Sequence, residues 1–234
     1  MTASPAYFDR HVADQQRASA SAGTWAMCYE QQVALVESLI APGMTILDVG
    51  CGPRLPYKAT GAHIIGLDPS AESLAANLRI NEPICGTAER IPLPAHSVDL
   101  TVAYYALHHM TGRSVWGTRQ IRRAALFEMW RVTKYDGQIL VFEVTPNRLG
   151  AALQALLWPT AKRLLGDRLD AYFWPAGMYD DAMTFAPHTV ETFSSSPWTW
   201  FAPMLAAPWL RIPRWLYPMT PTLYRWSSRA VCSP

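Results

Sequence analysis

The chain is 234 residues long and half apolar, enough to bury one sizeable core and within the range of a single domain. Twenty basic residues against eighteen acidic leave a formal charge of +2, which argues against a nucleic-acid surface or an acidic solvating tail. The four cysteines, Cys28, Cys51, Cys85 and Cys232, lack CxxC spacing, so no disulfide scaffold or metal site is expected, and reduced thiols in a cytoplasmic protein are the default.

In chain order, the first stretch carries Asp9, Arg10 and Asp14 with no apolar run, and it is not expected to act as a signal peptide. From about Gln15 to Ile40 the pattern is helical, with Val33, Leu35, Val36, Leu39 and Ile40 as the apolar stripe and Ala41-Pro42-Gly43 as the stop. Thr45 to Val49, Ala62 to Leu67, Val98 to Ala103 and Gln138 to Val144 are short apolar runs without helical period, which suits strands buried on both faces. Helix-like pieces lie between them, at Ser70 to Ile80 and Thr118 to Val132. Strands alternating with helices predict an α/β fold with a mainly parallel sheet. The last part of the chain is rich in tryptophan and proline, and His188 to Ser194 and Thr222 to Cys232 read as a terminal antiparallel pair at the sheet edge. Pro203, Pro208 and Pro213 interrupt the apolar stretch 197–217, so a membrane span is not expected there. The expected organisation is one domain, with an N-terminal helical cap at 1–40, a cofactor-binding core at 41–145, and a substrate cap with the sheet edge at 146–234.

The run Ile46 to Val49 leads into Gly50-Cys51-Gly52. Glycines at a strand end let the backbone turn sharply and approach a ligand where a Cβ would clash, although a tight turn alone reads the same way. Asp68 ends Ile64-Ile65-Gly66-Leu67 and stands 20 residues after Asp48. At that distance an acceptor-only carboxylate can take ribose hydroxyls, while Asp before Pro69 also suits a plain helix cap. A nicotinamide cofactor would want GxGxxG, and Gly50-Cys51-Gly52-Pro53-Arg54-Leu55 fails at the last glycine.

The ordered segments LDVGCG, GLDPS, GTAERIPLPAHSVDL, YALHH and EMWRVTKYDGQILVFE, over roughly residues 35–145, resemble class I S-adenosylmethionine-dependent methyltransferases of the ubiquinone/menaquinone, type 11 branch. The resemblance implies a Rossmann-like, seven-stranded, mainly parallel sheet with helices on both faces and an antiparallel strand near one edge, to which the tryptophan- and proline-rich last part of the chain would add an aromatic C-terminal cap. It implies S-adenosyl-L-methionine as cofactor. By position, Asp48 and the Gly50, Cys51, Gly52 turn face its methionine part, Asp68 with Pro69 its ribose, and Thr87, Ala88 and Glu89 its adenine, while Tyr104 lines the cofactor. Two departures stand out. Arg54 occupies the place of a third glycine, where it either blocks the site or pairs with the cofactor's carboxylate. Thr87 occupies the place of an aspartate that would accept from the adenine amino group.

Beyond the fourth strand, His108 and His109 are the candidate bases if the acceptor must lose a proton, histidine being best placed to titrate near neutrality. Similar proteins of varied activity carry a histidine at the position of His109, so a packing role stays open. Tyr7, Trp25, Tyr29, Tyr105 and Glu143 are candidates to line the substrate, with Glu143 alternatively a strand cap. Arg113, Arg119, Arg122, Arg123, Arg131 and Lys134 read as a solvated face. Ten tryptophans and nineteen prolines suggest a stiff apolar pocket wall and hence a lipophilic small-molecule substrate. The expected activity is methyl transfer to an oxygen or carbon of a quinone, polyketide, terpenoid or lipid-like metabolite, in a monomer or homodimer, with peripheral membrane contact through 197–217 as a further expectation. A cofactor-binding protein without methyl transfer, such as a cyclase scaffold, is the alternative.

Overall fold

The computed structural model describes residues 25–166, 171–184, 186, 188–193, 198–200, 211–213 and 219–227, with the side chains of 25–29, 198–200 and 211–213 excepted. Among these residues the order is α1 (Trp25–Leu39), β1 (Thr45–Val49), β2 (His63–Asp68), α2 (Ala71–Ala76), β3 (Glu82–Cys85), β4 (Val98–Tyr104), a 3-10 turn (Leu107–His109), α3 (Val115–Val132), β5 (Thr133–Pro146), α4 (Arg148–Leu165), α5 (Ala176–Ala182), β6 (His188–Thr192), β7 (Trp198–Trp200), β8 (Arg211–Pro213) and β9 (Met219–Ser227).

Seven described strands form one sheet in the order β3-β2-β1-β4-β5-β9-β6. The first five run parallel, and β9 pairs antiparallel with both β5 and β6. The chain winds outward from β1 through β2 to β3, then returns to lay β4 on the other side of β1. Strand order therefore reverses between β1 and β4, and a crevice opens beyond the carboxyl ends of these strands. The expected C-terminal pair is present as β6 and β9. Of the stretch 197–217, only the antiparallel pair β7–β8 lies within the described residues. No described helix is long and apolar enough to cross a membrane.

Alternation along the strands divides the core. Ile46, Ile64, Leu100, Val102, Leu140, Phe142 and Leu223 face one side, covered by Val36 of α1, Leu74 of α2 and two loop residues, Leu55 and Tyr57. Leu47, Val49, Ile65, Leu67, Ala103, Ile139 and Val141 face the other, against Ala125, Leu126, Met129 and Val132 of α3 and Trp158 of α4. Residues 50–62, between β1 and β2, contain turns and bends but no helix. Leu55 and Tyr57 fill the place of a crossover helix, and Arg79 Nη1 fixes their loop by donating to the carbonyls of Leu55 (3.1 Å) and Tyr57 (3.3 Å).

One predicted helix is shorter than expected. The 70–80 helix ends at Ala76 because the side chain of Asn77 is drawn away to the glycine turn, while Ser70 caps its start by accepting from the Ser73 N–H at 3.0 Å. β5 starts earlier than its apolar run, since Thr133 already pairs with Val98 before an irregularity in the ladder, which resumes at Gln138 opposite Leu100. The basic-face expectation is corrected at Arg122, which is fully buried. Arg113 and Arg123 are exposed, Arg131 pairs with Glu128 at 2.7 Å, and Lys134 pairs with Asp99 at 2.6 Å.

Candidate functional site

The crevice is built first from the glycine turn. Gly50 has φ +72°, and a Cβ there would stand 2.5 Å from the Cβ of Ala106. Its N–H donates to the Leu67 carbonyl at 2.7 Å, which seats the turn on the end of β2. Gly52, at φ +55°, differs, because a Cβ added there would meet open space. Its N–H donates to Asp68 Oδ2 at 2.9 Å, and Asn77 Nδ2 donates to its carbonyl at 2.9 Å. Asp68 Oδ1 accepts from the Ser70 N–H at 2.8 Å. A carboxylate is acceptor-only, the chemistry that vicinal hydroxyls need.

Asp48 lies buried at the end of β1, where its Oδ2 accepts from the Tyr57 hydroxyl at 2.5 Å. Burial raises its pKa most. The Tyr57 hydroxyl opposes that rise and the charge of Asp68 adds to it, leaving Asp48 at about 7. Burial also pushes the Cys51 thiol well up, so Cys51 packs under the turn as a neutral group. Pro69 is half-buried beside Asp68, whereas Arg54 is exposed on the loop after the turn.

The loop after β3 joins the site through the Gly86 N–H, which donates to the Asp68 carbonyl at 3.1 Å. On it Thr87 is exposed and Ala88 buried. Glu89 Oε2 is buried and has no hydrogen-bond partner among the described residues.

At the end of β4, Tyr104 and Tyr105 both donate their hydroxyls to Gln32 Oε1, at 2.8 and 3.0 Å. Gln32 is fully buried on α1, and its Nε2 has no partner among the described residues. Sequence reading missed Gln32, since a lone glutamine on an amphipathic helix carries no signal of its partners. Tyr57 and Asn77 were missed for the same reason. Tyr7 lies outside the described residues. Trp25 and Tyr29 belong to the first turns of α1, but their side chains are not among those described.

Directly after Ala106 the chain turns into Leu107–His109. His108 Nδ1 lies 2.8 Å from Glu143 Oε2, and its backbone N–H donates to Glu143 Oε1 at 3.1 Å. Glu143, expected to line the substrate or cap its strand, is instead fully buried on β5 behind the His108 ring. Burial lowers the pKa of His108, only partly opposed by Glu143, so the ring is neutral at pH 7 with its proton on Nδ1. Burial opposes the charge of Glu143, but His108 and the positive field of Arg122 outweigh it and hold the carboxyl below its ordinary range. His109 is half-buried, its ring centroid 4.1 Å from that of His108.

Arg122 explains why the turn stays put. Its Nη2 donates to the carbonyls of His108 (3.0 Å) and Tyr172, and its Nε to the Met110 carbonyl at 3.2 Å. The Tyr172 N–H donates to the His108 carbonyl at 2.9 Å as well. The guanidinium stands 5.1 Å from the Trp174 ring centroid, and Phe173 stacks on the His108 ring at 4.9 Å. An aromatic wall, residues 172–174, is thereby held against the histidine.

Residues 47–141 match the family described as "Methyltransferase domain". Over 126 residues the chain is 32% identical to a malonyl-[acyl-carrier protein] O-methyltransferase of Erwinia billingiae, covering 50% of this chain and 47% of that protein. Over 79 residues it is 37% identical to a ubiquinone biosynthesis O-methyltransferase of Rhodopseudomonas palustris, covering 30% and 31%. The chain thus spans about half or less of the length of these curated relatives. A solved geranyl diphosphate methyltransferase, in complex with GPP and sinefungin, shares the fold with a TM-score of 0.58 at 13% identity, covering 87% of this chain and 78% of that one. Sheet order, the Gly50–Gly52 turn with Asp68, and this domain match agree with one another, and residues 47–141 are a methyltransferase domain of the class I, S-adenosylmethionine-dependent type.

Proposed function

We propose that the chain transfers a methyl group from S-adenosyl-L-methionine to a hydroxyl oxygen of a lipophilic small molecule, with His108 as the base. The crevice offers groups that suit this cofactor. Open space lies beside Gly52, Asp68 presents acceptors for ribose hydroxyls, and buried Glu89 Oε2 would accept from the adenine amino group in place of the aspartate missing at Thr87. When bound, the cofactor supplies an electrophilic methyl on a sulfonium, for which alignment provides much of the rate.

The observation that carries the reading is the His108–Glu143 pair, two residues beyond the Ala106 that abuts Gly50. Glu143 fixes the proton on Nδ1 and so leaves Nε2 as the basic nitrogen. Burial keeps that nitrogen unprotonated near neutral pH. An acceptor hydroxyl at Nε2 can give up its proton as the oxygen gains the methyl, and Glu143 stabilises the imidazolium that forms. Both curated relatives are O-methyltransferases, which supports an oxygen acceptor. The aromatic residues 172–174 against His108 support an apolar one.

The test is transfer of label from methyl-labelled cofactor into a panel of lipophilic phenols, enols and acids. His108→Gln is expected to lower turnover by about 10²–10⁴-fold and to leave cofactor affinity within about twofold, because the ring stands beyond the cradle formed by Gly52 and Asp68. Labelling by the wild type with an undiminished rate in the variant removes His108 as base. Tight cofactor binding with no labelled product removes methyl transfer altogether.

A further inference from the structure

Helix α4 is oriented the wrong way round for a helix that serves only its own core. Its inward side offers one large apolar residue, Trp158, which packs edge-on against Tyr172 at 4.8 Å, and one polar residue, Gln154, whose amide binds the backbone of Phe173 in both directions at 2.7 and 2.9 Å. Its leucines point out. Leu149, Leu153, Leu156, Leu157, Leu164 and Leu165 are 49 to 78% exposed. At the helical period, the first five fall within about 100° of one another, opposite Trp158. Single exposed leucines are ordinary, but a stripe of them on one helix is the kind of patch that marks an interaction surface.

The charges select the partner. Arg148, Lys162 and Arg163 lie on α4, and the helix carries no acidic side chain. Arg148 and Arg163 are exposed. A second copy docked helix to helix would oppose like charges with no carboxylate from either α4 to relieve them. An anionic lipid surface meets both demands, taking the leucines into the acyl boundary and the guanidinium groups among the headgroups.

We propose that α4 lies in the plane of an anionic bilayer and holds the chain there by its leucine stripe. The helix starts directly after β5, the strand of Glu143, and Gln154 and Trp158 hold Phe173 and Tyr172 against the His108 turn. The wall of the site is therefore pinned by the same helix that meets the lipid. Resting on the reading of a lipophilic acceptor, this places the supply of substrate in the membrane.

The full chain, mixed with vesicles of phosphatidylcholine and phosphatidylglycerol, is expected to float with them, and to bind at least about tenfold more weakly to phosphatidylcholine alone. Leu156→Gln with Leu164→Gln, and separately Arg163→Glu, should each weaken binding by about tenfold or more, while circular dichroism and cofactor affinity stay unchanged. All three sites are exposed, so the fold should tolerate them. No binding by the wild type, or equal binding by the leucine variants, overturns the proposal. A wild-type dimer that these variants turn into monomer assigns the stripe to a second copy and also overturns it. Vesicle binding is read without turnover, so failure of the methyl-transfer reading would leave this result standing, and the reverse.

Discussion

Asp48 shows how one side chain can tie stability to pH. An unfolded aspartate titrates near 3.8, whereas buried Asp48 titrates at about 7. Between those values the folded protein holds a proton that the unfolded chain has lost. The stability contributed by protonated Asp48 is therefore complete at the acid end and disappears as pH rises through about 7, a loss on the order of 4 kcal/mol. Asp48→Asn keeps an acceptor for the Tyr57 hydroxyl and removes the titration, so its unfolding free energy, measured with denaturant across this window, should lose that downward slope. An unaltered slope would show that another group carries it. None of this was legible in the sequence. Asp48 was marked by its place at a strand end before two glycines, but the tyrosine that binds it lies nine residues on in an irregular loop.

At the scale of elements, the two glycines of the turn do different work. Gly50→Ala forces a Cβ to within 2.5 Å of Ala106 at a positive φ, a combination expected to cost about 2–4 kcal/mol of stability. Gly52→Ala meets open space, so only backbone strain of about 1–2 kcal/mol applies. Its methyl, however, enters the space assigned to the cofactor. Denaturant unfolding should therefore single out Gly50→Ala, and calorimetry with S-adenosylmethionine should single out Gly52→Ala as the greater loss of affinity relative to its stability cost. Equal patterns for the two would remove the distinction. The strands around this turn were readable because β1, β2 and β4 are short apolar runs buried on both faces. β3 was not, being four residues, Glu82–Cys85, with a proline at a sheet edge. α4 escaped because Pro159 stands inside it, and a proline within an apolar stretch reads as a helix stop. Arg122 escaped because the carbonyls and rings that accept it come from segments up to 50 residues away, and a guanidinium on a helix reads as solvated without them.

For the whole molecule, the C-terminal return is what completes the sheet. β9 lies between β5 and β6 and contributes Leu223, Tyr224 and Trp226, all fully buried. Tyr224 stacks on Tyr179 of α5 at 4.1 Å, so the return also anchors the layer that carries Trp174. Trp226→Ala should destabilise the fold by about 3–5 kcal/mol, seen as a lower denaturation midpoint. A loss below about 1 kcal/mol would mean that the parallel half stands without its edge. The overall plan was legible from the order of five sequence segments, and the antiparallel edge from two weak strand patterns. The burial of Glu143 behind His108 was not, since it depends on how β4 and β5 lie side by side.

The crossover from β1 to β2 without a helix bears on which cofactors the crevice can hold. Folds that take dinucleotides set the pyrophosphate on the first turn of the helix that follows the glycine loop, where unsatisfied N–H groups and the helix dipole meet its charge. Residues 50–62 provide no such turn, and the Gly50 and Gly52 N–H groups are already given to Leu67 and Asp68. A pyrophosphate would find no helix N-terminus at this turn. S-adenosylmethionine has no phosphate, so the chain could dispense with that helix and fill its place with Leu55 and Tyr57, trading an anion site for a packed tyrosine on Asp48.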